Sequence, residues 1–256
     1  IQKEDLKVVI ICVPNWLHYE TCSFCIDQNL HFFVEKPFTL NHETSLELAK
    51  KAAESNVLGQ VGYVNRYNPI FLKTKDLLDQ NIIGEVFYYY CEMTGSVVKK
   101  PTKSGWRNDY SMGGGCLYDY GSHCIDLALF INGNDVKVKS ASLKSVFSQN
   151  VDDCVSAELL HASGRTGNIH VNWADFATRK ASNSMTLWGS NGKLIVNKQE
   201  INLYLVKEDS NRGLNDGWNR FSVTDFPTEV SYYLRGEEFS LQIQDFVQSV
   251  TEKEFI

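Results

Sequence analysis

The chain has 256 residues, 43% of them hydrophobic and 22% charged, which is enough apolar material to bury one or two cores of a globular protein. A formal net charge of −6 with no basic run argues against an electrostatic nucleic-acid binder, and no continuous apolar stretch has the length of a membrane span. Seven cysteines cannot all pair with one another; most sit within apolar periodic segments, which reads as buried thiols in a reducing cytoplasm.

Two short apolar runs, 8–13 and 30–34, flank a helix-length segment at about 17–28, the βαβ pattern of a buried parallel sheet. Ligands of such sheets bind beyond the carboxyl ends of the strands. Those ends read Pro14-Asn15-Trp16-Leu17-His18 and Glu35-Lys36-Pro37, so chemistry is expected at Asn15, His18, Glu35 and Lys36. Cys22-x-x-Cys25 falls mid-helix with no second pair at metal-ligand spacing, and His161 and His170 lack ligand partners, so no metal site is expected. Asn41 is placed to cap a helix running to about residue 55, residues 57–64 read as the next parallel strand, and Asn68-Pro69 starts another helix closed at 81–84. An apolar strand that opens the chain would leave a bare edge, so the sequence is expected to be preceded by further sheet, and the final helix is expected to continue beyond residue 256.

From Glu85 the texture becomes β-rich, with strands expected at 86–93, 136–147, 153–161, 167–176, 185–188, 193–197 and 201–206. Gly164 and Ser190-Asn191-Gly192 supply hairpin turns, and Ile169, Val171 and Trp173 alternate with polar residues as in a sheet with one buried face. A helix at about 115–130 interrupts them, preceded by a glycine- and serine-rich loop that contains Trp106-Arg107. On that helix Asp119, His123 and Asp126 are spaced four and three apart, which puts them on one face. A helix at 237–253 carries Phe239, Ile243, Phe246 and Val250 at helical spacing. The fold class is therefore α/β. Part of a Rossmann-type parallel sheet occupies 1–67, followed at 68–256 by an α+β domain with a mainly antiparallel open sheet, whose last helix can return to the first domain.

Four motifs in order now suggest a family: Pro14-Asn15-x-x-His18, Glu35-Lys36-Pro37, the run from Gly62 to Pro69, and the run from Gly113 to Asp126. Together they resemble the Gfo/Idh/MocA oxidoreductases, nicotinamide-dependent enzymes of sugars, inositols and sugar nucleotides. The resemblance spans nearly the whole chain and implies a preceding segment with the first strand and a Gly-x-Gly-x-x-Gly phosphate loop. It also implies that Lys36 is the catalytic lysine and that Asp119 and His123 are the family's Asp-x-x-x-His pair.

Oxidising a secondary alcohol sends hydride to the nicotinamide and the hydroxyl proton to a base, and a lysine with its ordinary pKa of about 10.4 is a poor base at neutral pH. The expected roles are therefore His123 as principal acid/base, Asp119 orienting it, and Lys36 stabilising the reacting oxygen. Pro14, Asn15, Glu35 and Lys36 are expected at the nicotinamide ribose of NAD or NADP, while His18 either joins them or caps its own helix. By resemblance Arg66, Trp106 and Arg107 line the nicotinamide and substrate pocket. The loop 96–111, with Lys99, Lys100, Lys103, Arg107, Asn108 and Asp109, supplies groups for a sugar, polyol or sugar nucleotide, its lysines being either diphosphate ligands or solvated. A homodimer or homotetramer through the C-terminal sheet is expected, in line with the family's use of that face. Two rivals stand beside the dehydrogenase: a non-catalytic binding or regulatory relative, and an enzyme of elimination or glycoside cleavage through transient oxidation.

Overall fold

The structure is a computed structural model that describes residues 6–97, 105–178 and 180–252. Lys99, Lys100 and Lys103 of the expected substrate loop lie outside the described residues. Two sheets organise the chain. The first is parallel, in the order β1 (Val8–Ile11), β2 (His31–Val34), β3 (Gly59–Val61). Helices α1 (His18–Asp27) and α2 (His42–Glu54) supply its crossovers. Asn41 caps α2 as its position suggests, its side chain accepting the Thr44 N–H at 2.9 Å. Cys22 and Cys25 are buried in the core of this sheet with Ile26, Phe32, Val34 and Leu48. Burial pushes the Cys22 thiol up to about 12, which suits packing and not redox work.

The second sheet has eight strands in the order β11-β10-β9-β8-β4-β7-β6-β5. They are β4 (Val86–Thr94), β5 (Val136–Lys144), β6 (Cys154–His161), β7 (Thr166–Asn172), β8 (Ser182–Gly189), β9 (Gly192–Asn197), β10 (Glu200–Leu205) and β11 (Gly217–Ser222). All neighbours are antiparallel except β4 and β7. Strand β11 is missing from the sequence reading; with only Trp218 and Phe221 as apolar members it has too little alternation to announce itself. In β7, Ile169 and Val171 are buried while Asn168, His170 and Asn172 are half-exposed, the expected two-faced pattern. Gly167 of β7 lies beneath the Tyr89 ring, where a Cβ would come 2.0 Å from a ring carbon, so only glycine fits.

One face of this sheet is covered by α3 (Pro69–Asp79) and α4 (Ser122–Asn132). Asn68 caps α3 through the Ile70 N–H, with Pro69 at the first helical position. Leu127 of α4 is fully buried, a burial that stabilises by about 1.5–3 kcal/mol. The last helix, α5 (Glu237–Glu252), packs against the 3-10 turn Val64–Tyr67, and its buried Phe246 meets Phe33 at 5.9 Å between ring centroids. The chain thus ends against the sheet with which it began.

Candidate functional site

The carboxyl ends of β1 and β2 open into a cleft of about 370 Å3 lined by Cys12, Val13, Pro14, Asn15, Trp16, Glu35, Lys36, Trp106, Arg107 and Asp119. Seven residues expected from sequence therefore meet in one place: Pro14, Asn15, Glu35, Lys36, Trp106, Arg107 and Asp119. Cys12, Val13 and Trp16 join them unannounced. All three flank the recognised Pro-Asn motif, and a reading by sheet edge would have included them.

Lys36 is at the centre. Its Nζ donates to both the Asp119 carboxylate and the Asp119 backbone carbonyl, each at 2.8 Å. The other carboxylate oxygen accepts from Arg107 Nε at 3.3 Å, and the Arg107 guanidinium lies 4.4 Å over the Trp106 ring. Burial raises the Asp119 pKa, but Lys36 and then Arg107 outweigh it and hold the carboxyl below its ordinary value, so it is an anion at neutral pH.

Local winding explains how Asp119 comes to face Lys36. Residues Leu117–Gly121 form a π-turn that leads into α4, a deviation common at functional sites. The turn is pinned by Asp152, which accepts the Leu117 N–H at 2.7 Å through its side chain and the Cys116 N–H at 2.8 Å through its backbone. Gly115 precedes it at φ +107°, where a Cβ would lie 2.6 Å from an Asp152 oxygen.

Three expected site residues do not line this cleft. His18 is wholly buried, and its ring nitrogens lie 2.8 Å from the Pro37 carbonyl and 3.0 Å from the Val13 carbonyl. It ties the two strand ends together and does not cap its own helix, a role that spacing along α1 does not disclose. Arg66 donates from Nε to both oxygens of Asp126 and from an Nη to one, packs against Tyr63 and Phe130, and lines a different cleft of about 300 Å3 with Gln60, Tyr67 and Asp245.

His123 is the third. Asp119 gives both carboxylate oxygens to Lys36 and Arg107 instead of orienting the imidazole, and His123 Nδ1 is buried without a hydrogen-bond partner. The ring stands edge-on to Tyr63 at 6.5 Å. Burial first, then the ammoniums of Lys36 and Lys198, push its pKa down to about 3, against the opposing pull of Asp119. A histidine so perturbed is neutral at physiological pH and a weak base. No hydrogen bond links Asp119 to His123 in this geometry, where the carboxylate is shared by Lys36 and Arg107.

The cleft suits the reactive end of a nicotinamide cofactor. Glu35, held only at 3.3 Å by the Lys36 N–H, has acceptor capacity left for ribose hydroxyls, and Pro14 and Trp16 offer apolar surface beside it. Asn15 lies against the Gly113 backbone, where a Cβ would come 3.2 Å from its amide nitrogen, so the glycine-rich loop closes directly onto this edge. Among the described residues no group of three or more histidines, cysteines or carboxylates could hold a metal ion.

Residues 1–63 match the family model described as oxidoreductase family, NAD-binding Rossmann fold, and residues 71–195 match that of the GFO/IDH/MocA C-terminal domain. The chain is 31% identical over 128 residues to a scyllo-inositol 2-dehydrogenase (NADP(+)) of Bacillus subtilis, covering 50% of this chain and 35% of that protein. It is 29% identical over 131 residues to a 2,7-anhydro-N-acetylneuraminate hydratase of Mediterraneibacter gnavus, covering 51% and 34%. A levoglucosan dehydrogenase solved with NADH and levoglucosan superposes with a TM-score of 0.86 at 20% identity, over 98% of this chain and 72% of that one, a likeness of fold. The matched region spans from about a third to about half of the length of the first curated relatives.

Proposed function

The chain belongs to the Gfo/Idh/MocA oxidoreductases, and from that membership we propose that it transfers hydride between NAD or NADP and a secondary alcohol or ketone of a sugar, polyol or sugar nucleotide. The observation that carries the reading is the Lys36–Asp119 ion pair, lodged where the ends of β1 and β2 meet the glycine-rich loop. A nicotinamide held in the cleft by Pro14, Asn15 and Glu35 would supply or take up the hydride. Lys36 then holds the substrate oxygen: in the reducing direction its ammonium donates a proton to the developing alkoxide and is reprotonated from solvent, and the oxidising direction is the reverse, Lys36 first giving its proton to solvent before it takes that of the hydroxyl. Asp119 stays ionised throughout as the counter-charge, and Arg107 fixes the carboxylate from its far side. His123, neutral, contributes a hydrogen bond to the substrate and not the main proton transfer. Pro14, Asn15 and Glu35 orient the ribose, with Trp106 and Arg107 closing the cleft above it.

The test is a fluorescence titration of the full-length protein with NADH and NADPH, followed by a sugar and polyol screen for cofactor absorbance change. Saturable binding with turnover supports the proposal. Saturable binding with product formed but no net change of cofactor redox state points to elimination through transient oxidation, and absence of binding in a folded sample points to a non-catalytic relative. The open face of the eight-stranded sheet is proposed to pair with a second copy of the chain; Ile195, Tyr204 and Trp218 are exposed there on adjacent strands.

A further inference from the structure

Tyr118 precedes Asp119 in the π-turn and is half-buried. Its hydroxyl donates to the Leu40 carbonyl at 2.7 Å, across 78 residues of chain. Leu40 lies shortly after Lys36 and immediately before Asn41, the cap of α2. The stretch between Lys36 and that cap is held on two sides. The Thr39 hydroxyl donates to the Asn41 carbonyl at 2.7 Å, and the Leu40 side chain lies against Gly113, where a Cβ would come 2.6 Å from its Cδ2. Two bridges therefore join the same two segments, Lys36 to Asp119 and Tyr118 to Leu40, and the chain at 36–40 and 118–119 closes them into one ring. Tyr110 stands edge-on to the Tyr118 ring at 5.5 Å between centroids. Burial first, then the Tyr110 side chain, push the Tyr118 phenol up to about 12, so it keeps its proton at neutral pH.

We propose that Tyr118 is a positioning residue for proton transfer by Lys36, acting through Asp119. An ammonium has three N–H donors. In Lys36 one goes to the Asp119 carboxylate and one to the Asp119 backbone carbonyl, and no other acceptor among the described residues takes the third, which is free for the reacting oxygen. Both acceptors belong to one residue, so the aim of the third donor follows the placement of the π-turn relative to the end of β2. The flexible lysine stem cannot fix it alone. Asp152 ties the start of the turn to the second part of the chain, and the Tyr118 hydroxyl ties the next residue to the segment that carries Lys36. Misplacement of a reacting group by about 1 Å costs about 100-fold in rate. The proposal rests on the reading of Lys36 as the residue at the reacting oxygen.

Carboxyl 13C NMR of the full-length protein labelled at aspartate, with the Asp119 signal identified by its loss in Asp119→Asn, tests the clamp without turnover. In the wild type Lys36 and Arg107 outweigh burial and hold Asp119 below the ordinary carboxyl range. Tyr118→Phe keeps the ring and removes the hydroxyl. The expected result is a folded protein whose Asp119 midpoint rises by about one pH unit, because the ammonium moves off and burial gains weight. Where turnover is seen, kcat is expected to fall about 10- to 100-fold with the KM for cofactor little changed. An unchanged Asp119 midpoint in Tyr118→Phe overturns the proposal, and so does a raised midpoint with kcat intact. A raised midpoint in a protein without hydride transfer supports the clamp and removes the dehydrogenase reading instead.

Discussion

Among the described residues Lys36 has a single carboxylate partner, and that partner comes from 83 residues further along the chain. Replacing it with methionine keeps most of the stem and deletes the proton at the reacting oxygen. Turnover is expected to fall by about 10²- to 10⁴-fold, with NAD(P)H affinity by fluorescence titration changed little. A variant with near-normal kcat would remove Lys36 from the chemistry. His123 makes a different prediction. Its folded-state pKa of about 3 lies below the unfolded value of 6.5, so below pH 6.5 the unfolded chain binds a proton that the folded chain refuses. Its contribution to stability is whole above pH 6.5 and is lost as pH falls toward 3. Between pH 6.5 and 4.5 the wild type is expected to lose stability more steeply than His123→Gln, by about 1.4 kcal/mol per pH unit. Urea melts across that range read the difference directly, and parallel curves would mean that the ring is not shielded.

The π-turn Leu117–Gly121 and the strand ends are the elements that build the site. Asp152 holds the start of that turn through the Leu117 N–H, and removing the acceptor leaves a partly buried donor unsatisfied. Asp152→Ala is expected to cost about 1–3 kcal/mol in a urea melt, and to lower kcat more than it raises the KM for cofactor because Asp119 loses its setting. Loss of stability with kcat intact would make Asp152 a structural anchor alone. Asp153, next to it, shows what such an anchor looks like: its carboxylate accepts the Val146, Phe147 and Ser148 N–H groups, the Ser148 hydroxyl and the Trp173 indole. Adjacent aspartates thus serve the core and the site, and nothing in their sequence separates the two duties.

At the scale of the whole molecule, the eight-stranded sheet has helices on one face and side chains such as Ile195, Tyr204 and Trp218 exposed on strands β9 to β11. Pairing with a second copy would bury them. Tyr204→Lys combined with Ile195→Lys is expected to shift the sedimentation coefficient from oligomer to monomer without altering the far-ultraviolet spectrum. A wild type that sediments as a monomer would show that this face is not used between copies. The return of α5 to the first sheet, through Phe246 on Phe33, gives the two parts of the chain a common boundary.

The sequence by itself determined what depends on near neighbours. Alternation and apolar runs marked most strands, Asn41 and Asn68-Pro69 marked helix starts, and the polar ends of β1 and β2 marked where a ligand would lie. Those signals are local because backbone hydrogen bonding and capping act over a few residues. Only the tertiary structure decided which partner each charged side chain takes. Asp119, four residues from His123, turned instead to Lys36 and Arg107; Asp126 turned to Arg66; His18 was buried against the Val13 and Pro37 carbonyls. The charge of Lys198, in the turn between β9 and β10, lowers the pKa of His123. Spacing along a helix gives each side chain a direction, but the partner is set by whichever opposite charge packing brings within reach, and burial makes that contact strong.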